Sequence, residues 1–135
     1  MFVDTSGWAS LFIITQPYYA QADRHFRLAF EQRQDIITTN YVITELVALL
    51  NSPLRIPRQR SFEIVDAVKT VRYVQIVHVN EATDSVAWEL CKSRRDKDWS
   101  LVDCASFVVM KQLDIQQALT TDQHFEQAGF IRLLK

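Results

Sequence analysis

The chain has 135 residues, 48% of them hydrophobic and 23% charged, which suits one folded domain over residues 1–135 and is too apolar for disorder. Fifteen basic residues nearly balance sixteen acidic ones, so no whole-molecule field favours a polyanion and any nucleic-acid site has to be local. With only two glycines, Gly7 and Gly129, neither the G-x-x-x-x-G-K phosphate loop nor the G-x-G-x-x-G dinucleotide turn can be written. Together with only three prolines, this scarcity also disfavours a turn-rich all-β barrel.

In chain order, Met1–Asp4 reads as a strand, followed by helices over Ser6–Thr15 and Tyr19–Arg33, the second opening after Pro17. Asp4 is the first charge, so the basic region of a secretory signal is missing. Thr5 to Ala22 is uncharged, but its polar residues and Pro17 break it into pieces too short to span a bilayer, and the expectation is a cytoplasmic protein. Asp35–Thr39 is the next strand, then come a helix at Tyr41–Asn51, stopped by Pro53, and a helix at Arg58–Arg72, opened by Pro57. A strand at Tyr73–Val79 leads to a helix at Asn80–Arg94 with Ala82, Val86, Ala87, Leu90 and Cys91 on one stripe. Ser100–Leu113 is apolar almost all round, as a buried helix should be. Gln117–Thr121 is a fourth strand, Gln123–Ala128 a short helix closed by Gly129, and Phe130–Leu133 a candidate fifth strand. Phe2, Trp8, Phe12, Phe26, Phe30 and Trp88 are expected in the core or at a dimer face. Cys91 and Cys104 fit neither a disulfide framework nor a four-ligand zinc site and are expected as free buried thiols.

Strands alternating with helices predict an α/β protein: a three-layer α/β/α sandwich around a mostly parallel sheet of four to five strands. Ligands of such sheets sit beyond the carboxyl ends of the strands, where the strand order switches. Asp4 closes the first predicted strand and Asp122 follows the fourth. Glu45 interrupts the apolar stripe formed by Tyr41, Val42, Leu46 and Leu49, and Asp103 opens the most apolar helix. Each acid has a structural reading as well. Asp4 and Asp122 could cap the helices that follow, Ser100-x-x-Asp103 has the form of a capping box, and Glu45 could lie at the edge of its stripe and reach solvent. Capping does not account for four acids at one edge, nor for Glu45, which lies past the first turn. Two carboxylates about 4 Å apart repel by roughly 4 kcal/mol at an effective dielectric near 20. Four of them call for a cation or raised pKa values, and an all-oxygen site suits Mg²⁺ or Mn²⁺. Such ions activate water and neutralise charge on a phosphate, which is the chemistry of phosphodiester hydrolysis.

Val3-Asp4-Thr5-Ser6, Thr44-Glu45, Ser100-Leu101-Val102-Asp103 and Thr121-Asp122-Gln123-His124-Phe125 resemble, in order and spacing, the four acidic motifs of PIN-domain nucleases. The stretch from Leu119 to Phe130 is similar to the VapC-type toxins of toxin–antitoxin pairs. The resemblance implies a Mg²⁺- or Mn²⁺-dependent endoribonuclease with Asp4, Glu45, Asp103 and Asp122 as catalytic metal ligands, Asp4 and Asp103 foremost. Thr5, Ser6, Ser100 and Thr121 match the small polar positions that would hold those carboxylates from behind. It further implies an RNA substrate, a homodimer and a small antitoxin partner.

Lys92, Arg94, Arg95 and Lys97, followed by Trp99, offer cations and a stacking ring for RNA, or simply a solvated helix end. Arg55, Arg58 and Arg60 form a second basic patch with the same two readings, and Asp98 stands in reserve as a further acid. His124 is expected to serve the start of its helix rather than touch a phosphate. Two alternatives stand beside the toxin reading: an RNA-processing PIN nuclease without a partner, and a non-catalytic α/β module that binds another protein. The paired acids and Lys-Pro turn of receiver domains are absent.

Overall fold

In the computed structural model, which describes residues 1–135, the first strand lies at the centre of the sheet. Strand β1 (Phe2–Val3) pairs with β2 (Ile36–Thr39) on one side and β4 (Gln117–Leu119) on the other. Strands β3 (Val74–Val77) and β5 (Ile131–Arg132) complete the order β3-β2-β1-β4-β5, and every pairing is parallel. Phe2 stands opposite both Ile37 and Ala118, and Val3 opposite Leu119. Every residue of β1 and β2 is buried. Alternate side chains of a strand face opposite ways, so both faces of the sheet must be covered. The three-layer α/β architecture expected from the sequence is thus present, with all five strands parallel.

Helices α1 (Thr5–Phe12), α2 (Tyr19–Glu31), α3 (Asn40–Asn51), α4 (Arg58–Thr70), α5 (Glu81–Ser93), α6 (Leu101–Gln112) and α7 (His124–Gln127) fill the outer layers. Their starts follow local chemistry. The Thr39 hydroxyl accepts from Val42 N–H at 3.1 Å and the Asn80 amide oxygen from Thr83 N–H at 2.9 Å, each satisfying a free first-turn donor. Pro57 precedes α4, and Gly129, at φ +94°, follows α7.

Asp103 to Met110 of α6 are buried without interruption, as the apolar pattern predicts. The rings of Phe107 and Phe125 meet edge to face at 5.0 Å and that of Phe2 lies 6.2 Å from Phe125, joining α6, α7 and β1. The predicted α5 stripe is only partly used. Ala87 is buried, whereas Ala82 and Val86 are exposed, because α5 packs chiefly on α6 and its far side meets solvent. Phe30 and Trp88, expected in the core or at a dimer face, are likewise exposed and so lie outside the core. No helix is long and apolar enough to cross a membrane.

The strand order reverses at β1, with β2 and β3 to one side and β4 and β5 to the other. Its carboxyl end and that of β4 flank the crevice where such folds bind ligands. Gly7 brings α1 hard against that crevice: a Cβ there would lie 2.1 Å from the carbonyl oxygen of Leu119. The Trp8 indole, which donates to Thr38 Oγ1 at 3.1 Å, and the Thr38 hydroxyl, which donates to Val3 O at 2.9 Å, lock α1 and β2 onto β1.

Candidate active site

Because β1 ends at Val3, Asp4 leaves the sheet at its carboxyl edge and stands at the N-cap of α1. Its side chain caps nothing. Oδ2 accepts the Thr120 hydroxyl at 3.0 Å, while Oδ1 is buried without any partner. Burial is the main force raising the pKa of Asp4, and the charges of Glu45 and Asp103 add to it. Hydrogen bonds from Thr5 N–H and Thr120 oppose it, and the result is about 7.

Glu45 arrives from the second turn of α3, half-buried, and accepts a short hydrogen bond from the Thr5 hydroxyl. Its pKa is raised by burial, with Asp103 and Asp122 adding repulsion and Thr5 opposing. Asp103 sits in the first turn of α6 and is only 7% exposed. It forms a complete capping box with Ser100: its N–H donates to Ser100 Oγ and its Oδ2 accepts Ser100 N–H, both at 3.0 Å. The capping reading of Asp103 therefore holds, yet it does not exhaust the residue, since all its bonds fall on Oδ2 and leave Oδ1 without a protein partner. Burial again raises the pKa, Asp122 adds to it, and Ser100 N–H and His124 oppose. Asp122 lies in the loop three residues beyond β4, its Oδ1 accepting His124 N–H at 2.9 Å.

The four acids from β1, α3, α6 and the β4–α7 loop thus converge at one edge, near enough that Asp4 feels Glu45 and Asp103, and Glu45 feels Asp103 and Asp122. His124, expected only at a helix start, places its ring among them. Its Nδ1 lies 3.2 Å from Asp103 Oδ2 and 3.3 Å from Asp122 Oδ1. Ligand atoms of Asp103, Asp122 and His124 all fall within 4.8 Å of one another.

Behind the acids runs a chain of hydroxyls whose direction follows from counting protons. Thr120 gives its single proton to Asp4, so in its 3.1 Å contact with Ser6 it must accept, and it also accepts Asp122 N–H at 3.0 Å. Ser6 in turn accepts Thr121 N–H at 2.9 Å. Thr5 and Ser100 bond carboxylates directly, and Ser6 acts through Thr120. The Thr121 hydroxyl, expected beside the acids, bonds nothing; only its backbone is used, its carbonyl by Arg132 at 2.9 Å. β4 ends at Leu119, two residues earlier than predicted, and Thr120 is the threonine whose side chain is buried against Asp4.

The basic cluster is dispersed. Lys92 pairs with Glu89 at 2.9 Å, and Arg94 pairs with Asp96 while stacking 4.9 Å over the Trp99 ring. Arg95 and Lys97 have no ion-pair partner. Asp98 is exposed and outside the cluster. In the second patch Arg60 pairs with Glu63 and Arg58 stacks on Phe62.

An orphaned buried carboxylate oxygen on Asp4, a free one on Asp103 and three further donors close by are what a hard divalent cation requires. The donor set fits Mg²⁺ or Mn²⁺, with one imidazole nitrogen that the acids alone did not foretell.

The family model described as PIN domain matches residues 1–131. Over 133 residues the chain is 32% identical to the 23S rRNA-specific endonuclease VapC20 of Mycobacterium tuberculosis, covering 98% of this chain and 97% of that protein. The crystal structure of M. tuberculosis VapC20, a sarcin-ricin loop cleaving toxin, superposes with a TM-score of 0.84 at 28% identity, covering 99% of this chain and 98% of that one. FitAcB from Neisseria gonorrhoeae shares the fold alone, at a TM-score of 0.70 and 11% identity over 99% of this chain and 96% of its own. The chain therefore belongs to the PIN-domain family.

Proposed function

We propose that this chain is an endoribonuclease that hydrolyses RNA phosphodiester bonds at the acidic pocket, and that it acts as the VapC-type toxin of a toxin–antitoxin pair. The observation that carries the reading is the meeting of Asp4, Glu45, Asp103 and Asp122 at the strand-order switch, with the Asp4 Oδ1 atom left without a partner. Similarity to VapC20 over almost the whole chain supports the RNA substrate.

Asp4 and Asp103 would be the principal ligands of Mg²⁺ or Mn²⁺, with Glu45 and Asp122 completing the set. The ion would supply a water of lowered pKa and neutralise charge gathering on the phosphate. The chain's own residues do the positioning. Thr120 keeps one oxygen of Asp4 occupied and leaves the other without a protein partner. Thr5 fixes Glu45, and Ser100 and His124 fix Asp103. The raised pKa values of Asp4, Glu45 and Asp103 reflect burial and mutual repulsion, and a bound cation would draw all three back down. Arg95 and Lys97 are the members of the basic cluster left to meet RNA phosphates, ahead of Lys92 and Arg94. By family likeness the working assembly is a cytoplasmic homodimer held in check by a small antitoxin.

The test is cleavage of 23S rRNA in ribosomes by the purified chain, mapped by primer extension, with Mg²⁺, Mn²⁺ or EDTA. A defined cut that needs metal is expected. Intact rRNA and intact total RNA with either ion would overturn the reading.

A further inference from the structure

Two sulfurs lie close together on the side of α6 that faces α5. Cys91, half-buried near the end of α5, has its Sγ 2.9 Å from Sγ of Cys104, which is buried in α6 thirteen positions later. Both are free thiols. Around them is an apolar layer that includes Ala87, Ala105 and Val108, with Leu90 and Leu101 packed against it. The pair also adjoins the segment that carries Asp103 and its cap. Cys104 follows Asp103, its N–H donates to Ser100 O at 3.0 Å, and the Cys91 thiol approaches the same carbonyl at 3.6 Å. A disulfide requires sulfurs at about 2.05 Å, less than an ångström closer than here, which side-chain rotation between two packed helices can supply.

We propose that Cys91 and Cys104 form an oxidisable dithiol, a modification site at which a peroxide closes a disulfide between α5 and α6 directly behind Asp103. In the first step the Cys91 sulfur attacks one oxygen of hydrogen peroxide. The O–O bond breaks, water leaves, and Cys91 becomes a sulfenic acid. In the second, the Cys104 sulfur attacks that of Cys91. The S–S bond forms as the S–O bond breaks, and the hydroxyl leaves as a second water carrying the Cys104 proton. Two sulfurs are each oxidised by one electron and one peroxide is reduced to two waters. Cys91 is the thiol that peroxide reaches, and burial confines Cys104 to the resolving role. In a reducing compartment the pair stays open, so closure reports oxidant. This chemistry does not depend on what the acidic pocket cuts.

The experiment treats the purified full-length chain with hydrogen peroxide, quenches it, and combines intact mass, non-reducing peptide mapping and a thermal melt. The expected result is loss of two hydrogens, a Cys91–Cys104 cross-linked peptide, and a melting temperature roughly 10 °C higher that dithiothreitol reverses. Cys91→Ser and Cys104→Ala should each abolish all three; if Cys104→Ala fails to fold, Cys91→Ser, at the half-exposed position, suffices. Oxygen added at Cys91 without a cross-link, disulfide-linked dimers, or two unmodified thiols after treatment would overturn the proposal.

Discussion

The two edges of the sheet make an instructive contrast. A concavity of about 610 Å³ opens at the amino edge and is lined by residues such as Met1, Asp35, Asp114 and Gln117. At the amino edge no three His, Cys, Asp or Glu side chains come within metal-ligating distance of one another, whereas at the carboxyl edge like charges are pressed together and an oxygen is left unsatisfied. Repulsion and an unmet bond are held there by the rest of the fold, and protonation or a bound cation relieves them.

Neutralising one acid at each edge should break that contrast most sharply. Asp103→Asn is expected to lower RNA cleavage roughly 100- to 1,000-fold and to abolish thermal stabilisation by Mn²⁺, with the metal-free fold intact because Asn preserves the cap's shape. Asp114→Asn, at a left-handed backbone position that Asn tolerates, should change neither by more than about twofold. Equal losses in cleavage assays would put the two edges on the same footing.

A pH series separates the edges next. The folded-state pKa of Asp4, about 7, lies above its ordinary 3.8, so the folded chain keeps a proton that the unfolded chain has lost between those values. This contribution to stability is complete below about pH 4 and disappears as pH rises through 7. The raised pKa values of Glu45 and Asp103 act with the same sign. In EDTA, Asp4→Asn should therefore gain on the wild type between pH 4 and 8, by about 2–4 kcal/mol at the upper end. Urea midpoints that run parallel across the range would show Asp4 is not under this load.

Within the pocket, Thr120→Val should cost about 1–3 kcal/mol, because it strands Asp122 N–H and strips Asp4 of its donor. Cleavage should fall about 10- to 100-fold through misplaced carboxylates. Thr121→Val, which removes a hydroxyl without partners, should stay within about 0.5 kcal/mol. The smallest effect belongs to the rim. Replacing Arg95 and Lys97 together by Gln should weaken RNA binding a few-fold and flatten its salt dependence, without altering the cut site.

The elements were legible because their signals are long: apolar runs for strands, and prolines or caps where helices begin. Boundaries were less so, and at β4 the difference mattered. Side chains alternate along a strand, so a small error in its end exchanges the neighbour that faces the acids for one that does not, as with Thr121 and Thr120. The acids themselves stood out because a carboxylate on an apolar face is costly wherever it occurs. His124 did not, since one imidazole beside an acid looks the same whether it caps a helix or bridges two carboxylates, and only the approach of α6 to the β4–α7 loop decides between them. That Trp88 and Phe30 lie outside the core was not legible, because periodicity assigns a face but not whether another layer covers it.

Gly7 carries a consequence for how the pocket is gauged. Its missing side chain is the clearance that lets α1 rest on the last carbonyl of β4. The spacing between the Asp4 and Thr120 segments is therefore set by one backbone touching another, not by adjustable side chains. A single methyl at this position would act like a shim in a clamp, separating the first acid from the hydroxyl bonded to it while leaving every acidic side chain in the chain. Such a protein would retain the full set of motifs and lose their alignment.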